Sequence, residues 1–225
     1  MSGAPLLRVV QGLLERTYGR TTSVGDVARF VIGDAGYRRL YSGAEVRTVA
    51  GDGDQGARTL VRETDDGVRA SIYYPDALIS ILESHPPQHG VGEENVDAFG
   101  ALVEEVDHLL LIAERVEAHR PFTLLELEFH ANVSKELVLA RFLAGRRPRL
   151  ERRERLWLRW HLFHKADWEH HAPEVRSRYH DAARFGLRFL ERLEGRSTAE
   201  RLRTLRRFHA SGLDGKLAMA RGTAP

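Results

Sequence analysis

The stretch Val96-Asp97-Ala98-Phe99-Gly100-Ala101-Leu102-Val103-Glu104-Glu105-Val106-Asp107-His108-Leu109-Leu110-Leu111-Ile112-Ala113 decides the fold. Phe99, Leu102, Val103, Val106, Leu109, Leu110 and Ala113 recur three and four residues apart, the period of one helical face. Leu111 and Ile112 make the segment apolar nearly all round, so a helix from Val96 to about Ala118 is predicted as the central, most buried element. Within it Glu105 and His108 share a face with Leu111 and Ile112. A carboxylate and an imidazole among leucines need each other or a metal, because unpaired burial costs about 2–7 kcal/mol.

Downstream, Thr123 and Glu126 form a capping-box pattern, with Phe122 and Leu127 placed as a hydrophobic staple. That helix should run to about Leu143 and stop at Gly145. Three more follow, roughly Leu150 to His164, Glu174 to Leu193 and Ala199 to Ala210, the last with Ser197 and Glu200 as a second capping box. Upstream, Leu6, Val9, Val10, Leu13 and Leu14 predict a helix ended by Gly19. A short apolar stretch spans Val24 to Ile32, and Gly51 to Gly56 reads as a turn that only superficially resembles a calcium loop. Ala57 to Thr64 and Val68 to Tyr74 flank Asp66-Gly67, a type I′ hairpin signal that sets Val61 opposite Ile72. Glu45 to Val49 adds a third antiparallel strand. Pro75 and Asp76 then open a short helix, Ala77 to Glu83, with Asp76 as its cap. The expectation is an α+β fold, mostly helical: a small N-terminal antiparallel sheet with its hairpin at about 57–74, packed on the central helix and followed by a helical C-terminal half.

The chain has 225 residues, 42% of them hydrophobic, which fits one globular unit. Its longest apolar run, Leu109 to Ala113, is far below the roughly 20 residues that span a bilayer. Arg8 and Gln11 interrupt the only apolar stretch near the start, so no signal peptide is expected. With no cysteine, disulfides and thiolate chemistry are excluded, consistent with a cytoplasmic address. No G-x-S-x-G elbow or phosphate-cradling glycine loop is present. Charge divides the chain. Residues 1–140 carry 13 basic against 22 acidic side chains, a net −9, and residues 141–225 carry 21 against 10, a net +11. An acidic α+β core (1–145) and a basic helical extension (146–225), docked as a single globular unit, follow from that division. The opposite charges then neutralise each other within one chain or between copies in a homo-oligomer.

Two helices bearing Glu104, Glu105, His108, Glu126, Glu128 and His130 pool carboxylates and imidazoles. Glu104-Glu105-Val106-Asp107-His108-Leu109-Leu110-Leu111, followed by Glu128-Phe129-His130-Ala131-Asn132, resembles the active core of ImmA/IrrE-type zinc metallopeptidases, with an antiparallel hairpin upstream as in that family. The resemblance covers roughly residues 57–143. It implies Glu105 as general base, His108 as second zinc ligand and Glu128 as third, with Ala131 and Asn132 in packing positions. Glu104 stands where the family's first zinc-binding His would be, which implies a degenerate, inactive relative. Apart from the resemblance, a satisfied polar network with Lys135 or Arg115 accounts for the same residues, and Glu126 is assigned to the capping box. A ferritin-like di-iron site is disfavoured because only Glu105 and His108 have its spacing.

In the basic half, Arg149, Arg152 and Arg153 precede Trp157 and Trp160, and Arg206 and Arg207 lie in the last predicted helix. Guanidinium groups suit phosphates and indoles suit base stacking. A solvated face over core tryptophans is the simpler account. His161, His164, His170 and His171 read as surface or packing residues. The leading expectation is an interaction or regulatory protein of the cytoplasm with no cofactor, binding a protein or peptide partner, for example by strand addition between the sheet edge and the central helix. The first alternative is a metal-dependent hydrolase in which Glu105 acts as base. There His108 and Glu128, with Glu104 or His130, hold zinc or another divalent metal. The second is nucleic-acid binding through the five arginines.

Overall fold

The computed structural model describes residues 4–41, 47–51, 56–64, 67–165 and 172–223. It is a mostly helical α+β fold. In chain order it comprises α1 (Ala4–Tyr18), a 3-10 turn (Val27–Phe30), β1 (Val31–Ile32), α2 (Asp34–Tyr41), β2 (Arg47–Gly51), β3 (Arg58–Thr64) and β4 (Gly67–Tyr73). The helices α3 (Asp76–Ser84), α4 (Val96–Glu117), α5 (Leu124–Ala144), α6 (Arg152–Arg159), α7 (Pro173–Leu193), α8 (Thr198–Ala210) and α9 (Leu213–Arg221) follow. The predicted turn residues 52–55 and 65–66, the first residues of the Glu45 strand, and His170 and His171 lie outside the described residues.

The sheet is four-stranded in the order β1-β4-β3-β2. The expected purely antiparallel sheet gains an edge, because β1, from the Val24–Ile32 stretch, pairs parallel with β4. In the hairpin Thr59 lies opposite Ile72 and Val61 opposite Ala70, so the predicted Val61–Ile72 pairing is wrong by two positions. A two-position slide leaves the same residues on each face; in the observed register Thr59 and Ile72 lie opposite each other and both are fully enclosed. β3 and β4 pack on α4, and β2 runs beside α5.

The α4–α5 pair is the centre of the molecule. Fifteen of the 22 residues of α4 are buried, and α5 is buried on both sides, from Glu126 to Ala144. One core joins Leu6, Val10 and Leu14 of α1 to Phe185 and Phe189 of α7, Phe208 of α8 and Ala220 of α9. Phe208 stacks on Phe189 with ring centroids 4.3 Å apart and meets Phe129 edge-on at 5.1 Å, contacts that exceed simple area burial by about 0.5–1.5 kcal/mol per pair. The α1 face differs from expectation at one residue: Val9 is exposed and Leu7 takes its place inward.

Local capping accounts for most of the boundaries. Thr123 Oγ1 accepts from Glu126 N at 3.1 Å, and Phe122 packs with Leu127 as the staple requires. Ser197 and Glu200 form their full capping box, and Gly145 closes α5 at φ 56°. Asp76 does not cap α3. It is the first residue of that helix, and its Oδ1 instead accepts from Asp34 N at the start of α2, at 3.1 Å. The helix predicted from Leu150 starts at Arg152 and ends in a π turn, Trp160–His164. There Lys165 N donates to Trp160 O at 2.8 Å. Trp160 is half exposed rather than part of the core. Neither α2 nor α9 is expected from the sequence: the first is polar over most of its length, and the second is short with Gly215 inside it.

The acidic and basic segments meet inside one chain. Arg159 holds Glu136 at 2.9 Å, Lys165 holds Asp97 at 2.6 Å, and Lys216 holds Glu126 at 2.7 Å. His161 with Glu93 and His209 with Glu114 cross the same division.

Candidate functional site

Helix α5 sends polar side chains in two opposite directions. At 100° per residue, Glu128, Asn132 and Lys135 fall within about 60° of one another, while Glu126, His130 and Ser134 fall on the far side. Each group meets different residues of α4.

On the sheet side, Glu104, Glu105 and His108 of α4 face Glu128 and Lys135. Ligand atoms of Glu104, His108 and Glu128 all lie within 4.8 Å of one another. Lys135 Nζ donates to Glu104 Oε2 at 2.6 Å. Thr59 Oγ1, on the inward face of β3, donates to Glu105 Oε2 at 2.7 Å. His108 is fully buried, with Nδ1 3.5 Å from Glu105 Oε2, an ion-pair distance without hydrogen-bond alignment. Among the described residues neither His108 ring nitrogen has a hydrogen-bond partner, and neither has Glu128 Oε1. Burial opposes charge on His108, but the carboxylates of Glu105, Glu128 and Glu104 overcome it and hold the imidazole up to about 9. Burial, with the Glu104 carboxylate adding to it against the pull of His108, pushes Glu128 up to about 8. Glu104, although burial opposes it, is held below the usual carboxylate range by Lys135 and His108.

A cavity of about 590 Å³ opens over this cluster, and Glu104, Glu105, Glu128 and Lys135 all line it. Ala77, Leu78 and Ile81 of α3 supply apolar wall, and His161 and Lys165 from the π turn supply a second polar edge.

On the far side the polar groups satisfy one another. His130 Nδ1 contacts Asp107 Oδ2 at 2.7 Å, His130 Nε2 contacts His209 Nδ1 at 3.0 Å, and His209 Nε2 contacts Glu114 Oε2 at 2.6 Å. Three contacts need three protons on two rings, so one ring is an imidazolium. Burial, with the charges of His209 and Lys216, takes His130 down to about 4. Ser134 Oγ donates to the other Asp107 oxygen at 2.6 Å, and Tyr18 OH lies 2.6 Å from Ser134 Oγ. Beyond them, Glu126 receives Arg115 Nη2 and Lys216 Nζ, each at 2.7 Å. Arg115 Nε and Nη1 have no partner among the described residues.

Of the predicted site residues, Glu104, Glu105, His108 and Glu128 are brought together. His130 is not: it points away from the cluster into the Asp107–His209 chain. Glu126, assigned to a capping box by sequence, spends its carboxylate on Arg115 and Lys216, because a buried cation pair outcompetes an exposed backbone N–H. Arg149, Arg152, Arg153, Arg206 and Arg207 are all exposed, and Arg153 pairs with Glu151 at 3.0 Å. The sequence reading missed Thr59, whose role depends on hairpin register, and His209, which meets α5 from 79 residues away. Asp107 lay within the motif, but no spacing rule links it to His130.

No protein-family model matches the chain, and no curated protein or solved structure matches it either. Among the described residues, no helix is long and apolar enough to cross a membrane.

Proposed function

We propose that the protein is a divalent-metal-dependent hydrolase working in the cavity between α3, α4, α5 and the π turn. The observation that carries this reading is the fully buried His108, whose ring nitrogens have no hydrogen-bond partner among the described residues, within 4.8 Å of Glu104 and Glu128, which line a solvent-connected cavity. A structural imidazole in so apolar a setting is normally hydrogen-bonded. Two carboxylates and one imidazole form a donor set suited to zinc, manganese or ferrous iron. Twice a ligand bond of about 2.1 Å is about 4.2 Å, so a small side-chain shift closes the 4.8 Å cluster round one ion. Glu104, His108 and Glu128 would hold it; the likeness to ImmA/IrrE-type peptidases implies ligand places for His108 and Glu128, with Glu104 standing where that family has a histidine.

A divalent ion at this position supplies a Lewis acid and lowers the pKa of an attacking water. Glu105 lines the cavity beside these three residues and accepts the water's proton. Thr59 holds Glu105 by one oxygen and leaves the other for that task. The apolar wall of α3 takes the uncharged part of the substrate.

The test is elemental analysis of untagged protein purified without chelator, beside His108→Ala. Near-stoichiometric metal in the wild type that is absent from the variant is the expected result, with Glu105→Gln retaining metal and losing turnover. A wild type that takes up no zinc, manganese or iron on supplementation overturns the reading. One observation favours a second reading, a non-catalytic regulatory scaffold that binds a protein or peptide: Lys135 already supplies Glu104 with a cation. That reading predicts a metal-free protein whose partner is recovered by pull-down.

A further inference from the structure

We infer that Lys135 is a tethered counter-cation that competes with the metal for Glu104, so that metal loading requires its ammonium to swing off. The inference rests on the metal reading above and adds a means of regulating the same site. Lys135 lies two turns beyond Glu128 on the same face of α5, and its Nζ crosses to Glu104 Oε2 at 2.6 Å. It shares the cluster with the His108 imidazole and the carboxyl groups of Glu104, Glu105 and Glu128, and of these it hydrogen-bonds Glu104. Among the described residues the His108 ring nitrogens and Glu128 Oε1 remain without hydrogen-bond partners. A network built round Lys135 as its permanent centre would not leave them so, since each buried unsatisfied group costs about 1–3 kcal/mol.

Lys216 provides the contrast within the same chain. Its side chain is wholly enclosed and bound to Glu126 and to Ser211 O, with Phe208 beneath it. Lys135 is 14% exposed and lines the cavity. A flexible four-carbon stem lets its ammonium leave Glu104 for that space without unfolding α5. A dication binding Glu104 must displace it, so the apparent affinity of the wild type is lowered by the share of molecules in which Lys135 is paired. Once released, Lys135 points a positive charge into the cavity, where it would meet an anionic group of a substrate.

The chain has three lysines, Lys135, Lys165 and Lys216, so lysine-labelled protein gives three resolvable side-chain Cε resonances. Zinc alone is titrated into wild type and Lys135→Met, with affinity read by competition against a chromophoric chelator. The expected result is at least about tenfold tighter binding by K135M, and a zinc-dependent shift of the Lys135 resonance in wild type with Lys216 unmoved. Binding by K135M alone supports the proposal in its strongest form. Equal affinities with an unmoved Lys135 resonance at saturation overturn it while leaving the metal site standing. No zinc binding by either protein overturns both. If K135M does not fold, the wild-type spectrum decides.

Discussion

His108 and His130 occupy equivalent depths in the same helix pair, and their surroundings push them in opposite directions. His130 is held by Asp107 and His209 and is driven down to about 4, so it is neutral at pH 7. His108 has three carboxylates round it and no aligned partner, and is held up to about 9. The His130 chain is satisfied link by link, although Arg115 Nε and Nη1 beyond it have no partner among the described residues, and a gap of about 20 Å³ adjoins it. The sheet-side cluster is less satisfied and opens on a cavity. Both imidazoles are buried; on the proposed reading the hydrogen-bonded one serves architecture and the other serves chemistry.

The largest test of that division is Asp107→Ala. It strips His130 and Ser134 of their acceptor at once. Breaking a buried pair from one side costs about 3–5 kcal/mol, so urea denaturation should show a loss of that size. A loss below about 1 kcal/mol would mean the far-side chain is dispensable.

Next in size is the pH dependence of chelator-treated protein, where the two sides have opposite signs. His108 is raised above its unfolded value of about 6.5, so its contribution is full below that pH and is lost as pH rises through about 9. Glu128 acts in the same sense: the fold prefers its neutral form, and stability falls as pH climbs from about 4.5 towards about 8. His130 is depressed, so its contribution is full above about 6.5 and is lost as pH falls through about 4. Each pH unit separating a group's folded pKa from its unfolded one corresponds to about 1.4 kcal/mol, so each arm amounts to a few kcal/mol. The denaturation midpoint should therefore fall as pH rises above about 6.5, where His108 and Glu128 act together, and change little between about 6.5 and 4.5, where Glu128 and His130 oppose each other. Glu128→Gln should lessen the alkaline loss and uncover the His130 loss on the acid side.

Smaller again is Thr59→Val, which keeps the shape and removes the hydroxyl that Glu105 accepts from. A hydrogen bond to a charged group contributes about 1.5–3 kcal/mol, and thermal melts should show a loss in that range. A variant as stable as wild type would place Glu105 with another donor.

How much of this was legible in the sequence follows the range of the interactions. The α4 and α5 helices, the Thr123 cap, the Phe122–Leu127 staple and the Ser197–Glu200 box are local, and composition and spacing over a few residues specify them. Glu104, Glu105 and His108 share one helix, so their proximity was readable, and Glu128 entered through its antiparallel neighbour. What failed depended on distant partners. Glu126 matched a capping box, yet Lys216 reaches it from 90 residues away. His130 fitted a ligand set until His209 arrived from α8. The hairpin dipeptide Asp66-Gly67 pointed to a register two positions from the observed one, and with the observed register comes the Thr59 contact to Glu105. The charge division was visible, but only packing shows that Arg159–Glu136 and Lys165–Asp97 join its two halves.

The smallest expected effect is the most discriminating. Glu128 is buried, one of its oxygens is unpartnered, and burial with Glu104 keeps it protonated at pH 7. Glu128→Gln replaces a neutral acid by a neutral amide of the same shape, so stability at pH 7 should stay within about 1 kcal/mol of wild type. Bound metal should be lost, because an amide oxygen does not replace a carboxylate in a three-residue set. Asp107→Asn is the matched acid-to-amide change on the far side: there it falls on an ionised carboxylate that His130 and Ser134 both use, and it should cost several times more. Equal losses from the two variants would erase the distinction between the networks and return Glu128 to the structural core. A stable E128Q without metal, beside a destabilised D107N that still binds it, would assign chemistry to one face of α5 and architecture to the other.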